Sequence, residues 1–558
     1  MEVGDVEARG AEGREVDVVG RHARLVARTA LISFLTLLSR IAGFVRETKT
    51  AALFGDASGV SDAFITAWRI PNLFRALMGE GAIVTALQTE LTRVDHERGE
   101  AAGRAFFHSM LRLVTRLCAV VCVLAMLVAW FLPDRMPITG WGWLGEHPAA
   151  VREFTVRMLP FVVLVCLSAV VGGALNVRGH FLAPSIAPVV MNLGWIAALV
   201  AVGWAFGAGP AGAGPSEHDE QMGMARWLAT YVLVAGVILL VVQLPALRGA
   251  GLAGASSSEE RALSRRAAWS ALRAGLPLAL GAAAYQVHAL VGGVLAIALL
   301  PQGGSSLLYY VTRLQQLPLS LVAIAATSAV FPMLTALGER RELDRVRQLH
   351  DRTHLAVAYV AVPASLGLAF FAEPILAACF QHGEFAAAGV ERAAWGLRAL
   401  ALAILPAGAA GLVARTYYAL GRPQTPVWIA FALVFVNVGL SVGAVAGLGL
   451  DLEGLAWSTT ICAWLNLLLL LPGLRGRLAL PPSQERVLPR LGRIGLAAGL
   501  STGLAWATWV AWLGTSGSPV ALMLCILLSV GLYGAFSQLL AIEEWRELLS
   551  RVRKRIAG

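Results

Sequence analysis

The chain has little charge and almost no lysine. Of its 558 residues, 14% are charged, against about 25% in ordinary soluble domains, and Lys49 and Lys554 are the only lysines. By contrast, 57% of the residues are hydrophobic. Several apolar runs reach the roughly 20 residues that a helix needs to cross a bilayer. This composition excludes a soluble globular protein and predicts an all-α polytopic membrane protein.

Cysteine patterns typical of metal centres or disulfide scaffolds are missing. The six cysteines lie in or beside apolar runs, and none has the spacing to a second Cys or His that a metal site requires. No large polar loop carries a paired-carboxylate, nucleophile or metal constellation. We therefore expect no disulfide, no metal, no cofactor and no enzymatic activity. The cysteines are Cys118, Cys122, Cys166, Cys379, Cys462 and Cys525.

The net charge of +10 is not the sign of a nucleic-acid-binding protein, because of where the charge lies. Most arginines occupy connections that follow even-numbered hydrophobic spans. Most odd-numbered spans are followed by segments without positive charge, such as GDASGVS, PQGGSS, LDLEG and GTSGSP. This alternation matches the positive-inside rule. It predicts a multi-pass membrane protein with both termini in the cytoplasm.

The apolar runs divide into fourteen predicted transmembrane helices. Transporters often pair two helix bundles around a site at the membrane midplane, and the eighth span resembles the second in placing an Arg shortly before a Pro. We expect two six-helix bundles around a central cavity, followed by two additional helices. The predicted parts are a cytoplasmic N-terminal tail (1–27), an N-terminal bundle (28–250), a C-terminal bundle (268–475), the additional pair (488–542) and a basic cytoplasmic tail (543–558).

The stretch Ser39–Glu90 is unusual because ionisable residues interrupt its two predicted spans. Such residues are costly at membrane depth and persist where they meet a wet cavity, a partner charge or a ligand. Arginine dominates, and its planar fork suits the paired hydrogen bonds of a phosphate. Helical spacing puts Ser39 and Arg46 on one face and Arg40 and Glu47 on a neighbouring one. In the second span, Asp62, Arg69 and Glu80 share a face if the helix continues, although we expect Pro71 to interrupt it. The pattern predicts an anion site suited to a diphosphate.

The motifs LSRIAGFVRE and SDAFITAWRIPNLFRALMGEGA resemble the first two spans of the MurJ/MviN family of lipid II flippases, which belongs to the same superfamily as the MATE drug antiporters. Family-like segments continue through most of residues 30–475, including YYVTRLQQLP. The residues that the pattern and the resemblance together assign to substrate binding are Ser39, Arg40, Arg46, Arg69, Arg75 and Arg313. The expected organisers of the cavity are Glu47, Asp62 and Glu80. Where the family often has Asp before the last arginine, this chain has Thr312, so the partner of Arg313 is open.

The resemblance implies a transporter of the bacterial cytoplasmic (inner) membrane. It would flip lipid II, the undecaprenyl-diphosphate-linked peptidoglycan precursor, from the inner to the outer leaflet for cell-wall synthesis and cell shape. We expect alternating access, with the membrane potential as driving force, in a monomer that contacts cell-wall synthesis proteins. The last two helices would accommodate the polyprenyl tail. Asn437 and Thr459 suggest a sodium site, but no acidic residue lies in the nearby apolar spans to complete it.

Other functions stay open at this stage. The chain could export a different lipid-linked oligosaccharide or act as a MATE-like drug antiporter. A cation exporter would need carboxylates in its cavity, whereas the first two spans contain more arginine than acid. A scaffold for cell-wall enzymes that transports nothing is a further alternative. It would be favoured by a long soluble domain, which the sequence lacks.

Overall fold

The computed structural model describes residues 31–74, 82–131, 133, 147–207, 218–254, 258–320, 325–483, 485–514 and 518–557. Within these ranges the regular elements are helices, and no β-strand lies among them. This agrees with the predicted all-α class.

The helices are numbered in chain order. They are α1 (31–54), α2 (Gly59–Phe74), α3 (Ala82–Phe131), α4 (Pro148–Met158), α5 (Phe161–Val177), α6 (Leu182–Ala205), α7 (His218–Val241), α8 (Leu244–Gly249), α9 (Ser258–Leu299), α10 (Gly304–Leu319), α11 (Ala325–Glu339), α12 (Leu343–Phe370), α13 (Ala372–Phe380), α14 (Ala387–Ala401), α15 (Ile404–Ala419), α16 (Gln424–Val442), α17 (Leu452–Leu470), α18 (Pro472–Gly476), α19 (Val487–Thr508), α20 (Pro519–Leu539) and α21 (Glu543–Ala557).

The described residues contain ten helical segments that are long and apolar enough to cross a membrane. Helices are the expected solution, because a helix pairs its backbone polar groups internally where lipid offers no partner. Several segments consist of two helices joined at a slight break, such as α4 and α5 on either side of Leu159 and Pro160. The multi-pass architecture is confirmed, whereas the number fourteen stays a prediction.

Helices α2 and α10 lie against each other and have matching features. Each is 16 residues long and contains one proline near its C-terminal end, Pro71 or Pro318. The expectation that Pro71 interrupts the second span at that point is wrong, since α2 continues to Phe74. A proline this close to the end of a helix removes only one backbone hydrogen bond. The pair places Arg69 and Arg313 in the same region.

The two predicted bundles share one hydrophobic core. The largest buried cluster includes Phe54 and Phe154 from the N-terminal part together with Leu307, Tyr310 and Phe380 from the C-terminal part. Helix α9 packs against α2 and α3 as well as against α16, and so connects the two parts.

The last two long helices, α19 and α20, pack against each other and against α12. Tyr533 donates a hydrogen bond from its hydroxyl to the Tyr359 carbonyl oxygen (2.7 Å), and Tyr359 bonds in turn to Ser537 (3.1 Å). Much of the surface of α20 is exposed and apolar, including Met523, Leu527 and Val530, as expected for a helix that faces lipid. The predicted basic tail 543–558 is mostly helical, forming α21.

Candidate functional site

Arg46 lies at the centre of a polar cluster between α1, α6 and α10. Its Nη2 donates a 2.5 Å hydrogen bond to Glu47 Oε1, and its Nη1 donates one of 3.2 Å to Asn192 Oδ1. The guanidinium also lies over the Trp195 ring, 4.8 Å from its centroid. A half-buried guanidinium with an ion pair, an amide and an aromatic face is held in a defined position.

Asn192 of α6 connects the two residues that helical spacing placed on one face of α1. Its Nδ2 donates to the Ser39 carbonyl oxygen at 3.1 Å and lies 3.4 Å from Ser39 Oγ, while its Oδ1 accepts from Arg46. The shared face of Ser39 and Arg46 is therefore present, and it faces α6. Asn192 itself is buried.

Tyr309 of α10 joins the acidic and basic groups of the site. Its hydroxyl donates to Glu47 Oε1 (2.9 Å) and accepts from Arg313 Nη2 (3.1 Å). The Arg313 guanidinium also stacks over the Tyr309 ring at 4.8 Å from the centroid and donates to Gln316 Oε1 at 3.1 Å. The residue before Arg313 is Thr312, which has no carboxylate. Arg313 is instead connected to the Glu47 carboxylate through the Tyr309 hydroxyl.

Arg69 approaches the same tyrosine from α2. Its guanidinium lies 5.8 Å from the Tyr309 ring centroid, and its Nη2 donates to the Ser305 carbonyl oxygen at 3.0 Å. The buried Arg69 Nε has no hydrogen-bond partner among the described residues. An unpaired donor on a buried guanidinium is energetically costly.

Arg40 lies one and a half turns from Arg46 toward the start of α1 and is exposed. Its Nη1 donates to Ser320 Oγ, just after α10, at 2.8 Å. The structure thus brings together Ser39, Arg40, Arg46, Arg69 and Arg313 around α1, α2, α6 and α10. Two further predicted site residues, Arg75 and Glu80, lie outside the described residues.

Asp62, predicted to organise the arginines, makes side-chain hydrogen bonds to the start of α10. Its Oδ2 accepts from the Gly303 backbone N–H and its Oδ1 from that of Ser306, each at 2.7 Å. The Ser306 hydroxyl donates a third hydrogen bond of 2.7 Å. Gly303, the N-cap of α10, has no side chain to supply this cap, so a carboxylate from α2 does it. Among the described residues, the side-chain hydrogen bonds of Asp62 go to Gly303 and Ser306 at the start of α10 and not to an arginine.

Asp56, in the loop between α1 and α2, makes a similar contact with α14. Its Oδ1 accepts the backbone N–H of Ala386 at 2.7 Å. Ala386 is the N-cap of α14 and also lacks a capping side chain. A methyl group added at Gly389, in the first turn of α14, would overlap the Asp56 side chain. The close fit at Gly389 and the cap both hold the loop 55–58 against α14.

Further contacts close the same end of the molecule, which we call the sealed end and define by the loops 55–58, 300–303, 381–386 and 448–451. The Glu384 N–H donates to the Ala52 carbonyl oxygen at 2.9 Å. Arg392 of α14 pairs with Asp451 and donates to the Gln302 carbonyl oxygen at 2.9 Å. These loops therefore form one hydrogen-bonded unit across the two predicted bundles.

The charges of the cluster favour an anion. Four guanidinium groups of the described residues (Arg40, Arg46, Arg69 and Arg313) meet two nearby carboxylates, and the Asp62 carboxylate already caps α10. Arginine forks bind phosphate oxygens through two parallel hydrogen bonds, and burial strengthens such contacts. The arrangement can hold a group with more than one negative charge.

The expected sodium ligands, Thr459 and Asn437, lie in the neighbouring helices α17 and α16. The Thr459 hydroxyl donates to the Leu455 carbonyl oxygen within α17 at 3.0 Å. Asn437 is buried with its Nδ2 lacking a hydrogen-bond partner in the described part of the chain. A sodium ion would bind the side-chain oxygen of Asn437 and not this NH₂ group, so the sodium site stays a prediction.

Sequence reasoning missed the residues that hold the arginines in position. Asn192 is a lone amide within the apolar run of α6, and that isolation was the available signal. Tyr309 lies four residues before Arg313, one helical turn away, which places both on one face. Asp56 belongs to a loop that the sequence marked only by its lack of positive charge. None of these signals identifies the distant partner, which lies 146 residues away for Asn192, 262 for Tyr309 and 330 for Asp56.

Sequence comparisons place the chain among known transporters. A profile of the family described as "Lipid II flippase MurJ" matches residues 50–536. The "Lipid II flippase MurJ" of Burkholderia cenocepacia is 30% identical over 508 residues, covering 90% of this chain and 95% of the relative. The "Probable lipid II flippase MurJ" of Bdellovibrio bacteriovorus is 28% identical over 537 residues, covering 93% and 94%.

Solved structures share the fold. One described as "Lipid II flippase MurJ, inward closed conformation" aligns with a TM-score of 0.70 at 18% identity, covering 93% of this chain and all of that one. An inward-facing multidrug MATE transporter of the MOP superfamily aligns with a TM-score of 0.59 at 14% identity, covering 80% and 98%. At these identities the likeness concerns the fold alone.

Proposed function

The chain belongs to the MurJ family of lipid II flippases, and we propose that it moves lipid II from the inner to the outer leaflet of the bacterial cytoplasmic membrane. The observation that carries this proposal is the family match over residues 50–536, together with the arginine cluster, of which Arg69 and Arg313 lie inside that range and Arg40 and Arg46 just before it. Lipid II carries a diphosphate between its polyprenyl tail and its sugar headgroup, and the cluster is suited to that group.

In the proposed mechanism, Arg40, Arg46 and Arg313 hold the diphosphate, and Arg69 supports them. Arg40 is exposed, so it would meet the headgroup first. Arg46 donates a hydrogen bond directly to Glu47, and Arg313 is connected to Glu47 through the Tyr309 hydroxyl. Glu47 would act as the counter-ion of the empty site. When the diphosphate arrives, it would replace Glu47 as the main partner of these two arginines.

The sealed end supports alternating access. Its loops are the ones that lack positive charge, so by the positive-inside rule they would face outward, with both termini in the cytoplasm. With this end closed, the headgroup would enter from the cytoplasmic side. Breaking the caps from Asp56 and Asp62 would then separate the two bundles and release the headgroup outward.

The remaining parts of the proposal concern energy and assembly. An inside-negative membrane potential would favour outward movement of an anion that the protein does not neutralise, at about 2.3 kcal/mol per charge for 100 mV. We propose a monomer without cofactor that works beside cell-wall synthesis proteins. The α19–α20 pair would accommodate the polyprenyl tail.

The proposal is tested by genetic rescue. The chain is expressed in cells whose own lipid II flippase is depleted, with its amount in the membrane measured. Restored growth and cell shape, with lipid II headgroups exposed on the outer leaflet, are expected. Correct insertion without rescue and without exposed headgroups would show that the cargo is different, and another lipid-linked oligosaccharide would then be the first candidate.

A further inference from the structure

The last helix, α21, has the sequence pattern of a helix that lies on a membrane surface. Its apolar residues recur at intervals of three or four, which places them on one face. The remaining positions are mostly charged, and basic residues dominate the second half. The apolar residues are Trp545, Leu548, Leu549, Val552 and Ile556. The charged residues that follow Glu543 and Glu544 are Arg546, Glu547, Arg551, Arg553, Lys554 and Arg555.

The first turn of α21 is fixed to α19 by one arginine. Arg490 donates from Nη2 to Glu544 Oε1 at 2.6 Å, and its Nη1 lies 3.0 Å from Glu543 Oε2. The same Nη1 donates to Glu485 Oε2 at 2.7 Å. Three carboxylates on one half-buried guanidinium form a network, which is a firmer connection than an isolated surface ion pair. The direction in which α21 leaves the bundle is therefore set.

The start of α21 lies at the end of the apolar helix α20. Only residues 540–542 separate the two helices, and Ala541 has a left-handed backbone (φ 52°) that turns the chain. Ile542 is buried, and the Trp545 ring packs against Gly534 of α20. Because α20 crosses the membrane, a helix that begins three residues later begins at the membrane surface.

We propose that α21 lies in the membrane interface and binds anionic phospholipids. Leu548 is 47% exposed, and Arg546 and Arg553 are exposed too, so the helix presents apolar and cationic groups beyond its anchored first turn. A strongly amphipathic, low-hydrophobicity helix rich in Arg suits an interface. The basic second half is complementary to anionic headgroups, which attract polybasic segments near a membrane. This inference does not depend on which cargo the protein carries.

The test uses the full-length protein in nanodiscs with a fluorescent probe on Leu548→Cys. Labelling of the wild-type protein measures the background from the six native cysteines. Ser550→Cys is the matched control, since two residues further on the helix the probe points to the opposite, polar side. Nanodiscs of phosphatidylcholine alone are compared with nanodiscs containing phosphatidylglycerol, with iodide as the aqueous quencher and a spin-labelled lipid as the membrane quencher.

With phosphatidylglycerol, the probe at position 548 should be several-fold less accessible to iodide and more accessible to the lipid quencher than the probe at 550. High salt, or the combined change Arg551→Gln, Arg553→Gln, Lys554→Gln and Arg555→Gln, should reverse this protection because the attraction is screened or removed. If the protection of the probe at position 548 from iodide does not change with lipid charge, with salt or with the four substitutions, the anionic-lipid proposal is wrong. Equal iodide access at 548 and 550 in both lipids would also overturn it and leave the apolar face open to a protein partner.

Discussion

The Arg46 guanidinium and the Asn192 side-chain amide form a polar connection between α1 and α6, with Arg46 Nη1 3.2 Å from Asn192 Oδ1. The same amide donates to the Ser39 backbone, so one buried side chain spans two turns of α1. A fixed guanidinium loses less entropy when it binds a ligand than a mobile one. Asn192 is therefore expected to position Arg46 for the diphosphate.

Replacing Asn192 with Leu should lower flipping about tenfold without loss of protein from the membrane. The substitution is close in volume, but it removes a hydrogen bond to a charged group, which is typically worth about 1.5–3 kcal/mol. Headgroup exposure per molecule of inserted protein measures the effect. The matched control is Asn437→Leu, a buried amide in α16 whose Nδ2 has no partner among the described residues. Equal losses in the two variants would contradict a specific role for Asn192, and a loss at Asn437 alone would favour the sodium site.

Tyr309→Phe should impair transport about tenfold or more, because it removes the hydroxyl that joins Glu47 to Arg313 and keeps the ring. The neighbouring Tyr310→Phe is the control. The buried Tyr310 hydroxyl makes no well-formed hydrogen bond in the described part of the chain, so its removal should leave transport nearly unchanged. The same assay of headgroup exposure applies. Normal transport by Tyr309→Phe would mean that the tyrosine contributes packing only.

Gly389→Ala should open the sealed end, because its methyl group would overlap the Asp56 side chain. If this overlap also breaks the hydrogen bond by which Asp56 caps α14, the closed state loses about 1 kcal/mol of stability. A loss of that size shifts the equilibrium between the open and closed states about fivefold. The measurement is the rate at which a membrane-impermeant maleimide labels Ser305→Cys, a position buried under this end. Gly439→Ala, where added bulk meets nothing within 4 Å, is the control. Unchanged labelling in Gly389→Ala would show that the contact between Asp56 and α14 does not keep this end closed.

Collapsing the membrane potential should slow the appearance of lipid II headgroups on the outer leaflet. The reason is that the potential acts on the uncompensated charge of the loaded site, at about 2.3 kcal/mol per charge for 100 mV. An ionophore that removes the potential while the proton gradient is held constant isolates this term. A rate of headgroup exposure that does not respond to the ionophore would exclude the potential as the driving force.

Periodicity and charge were enough to predict the helical class and the polar stretch in the first two spans. Apolar runs of membrane length have few structural solutions, and an arginine at membrane depth signals a site by its cost alone. For the same reason Ser39 and Arg46 could be placed on one face of a helix before any contact was known.

The partners of these residues could not be predicted in the same way. Asp62 was expected to serve the arginines, yet it caps α10, some 240 residues away in sequence. Which carboxylate meets which helix end depends on how α2 packs against α10, and no local pattern encodes that packing. The contact between Asp56 and Ala386 could not be predicted for the same reason. The N-caps of α10 and α14, Gly303 and Ala386, have no capping side chain of their own, so each helix is capped by a carboxylate from a distant part of the chain.

The central claim is that the arginine cluster binds the diphosphate of lipid II, and the most direct measurement is headgroup exposure by Arg40→Ala and Arg313→Ala. Both variants are expressed at wild-type levels in cells depleted of their own flippase, next to Arg157→Ala, which alters an ion pair of α4 outside the cluster. The account predicts that wild type and Arg157→Ala expose headgroups and that the two cluster variants fail. Full exposure by both Arg40→Ala and Arg313→Ala would contradict it.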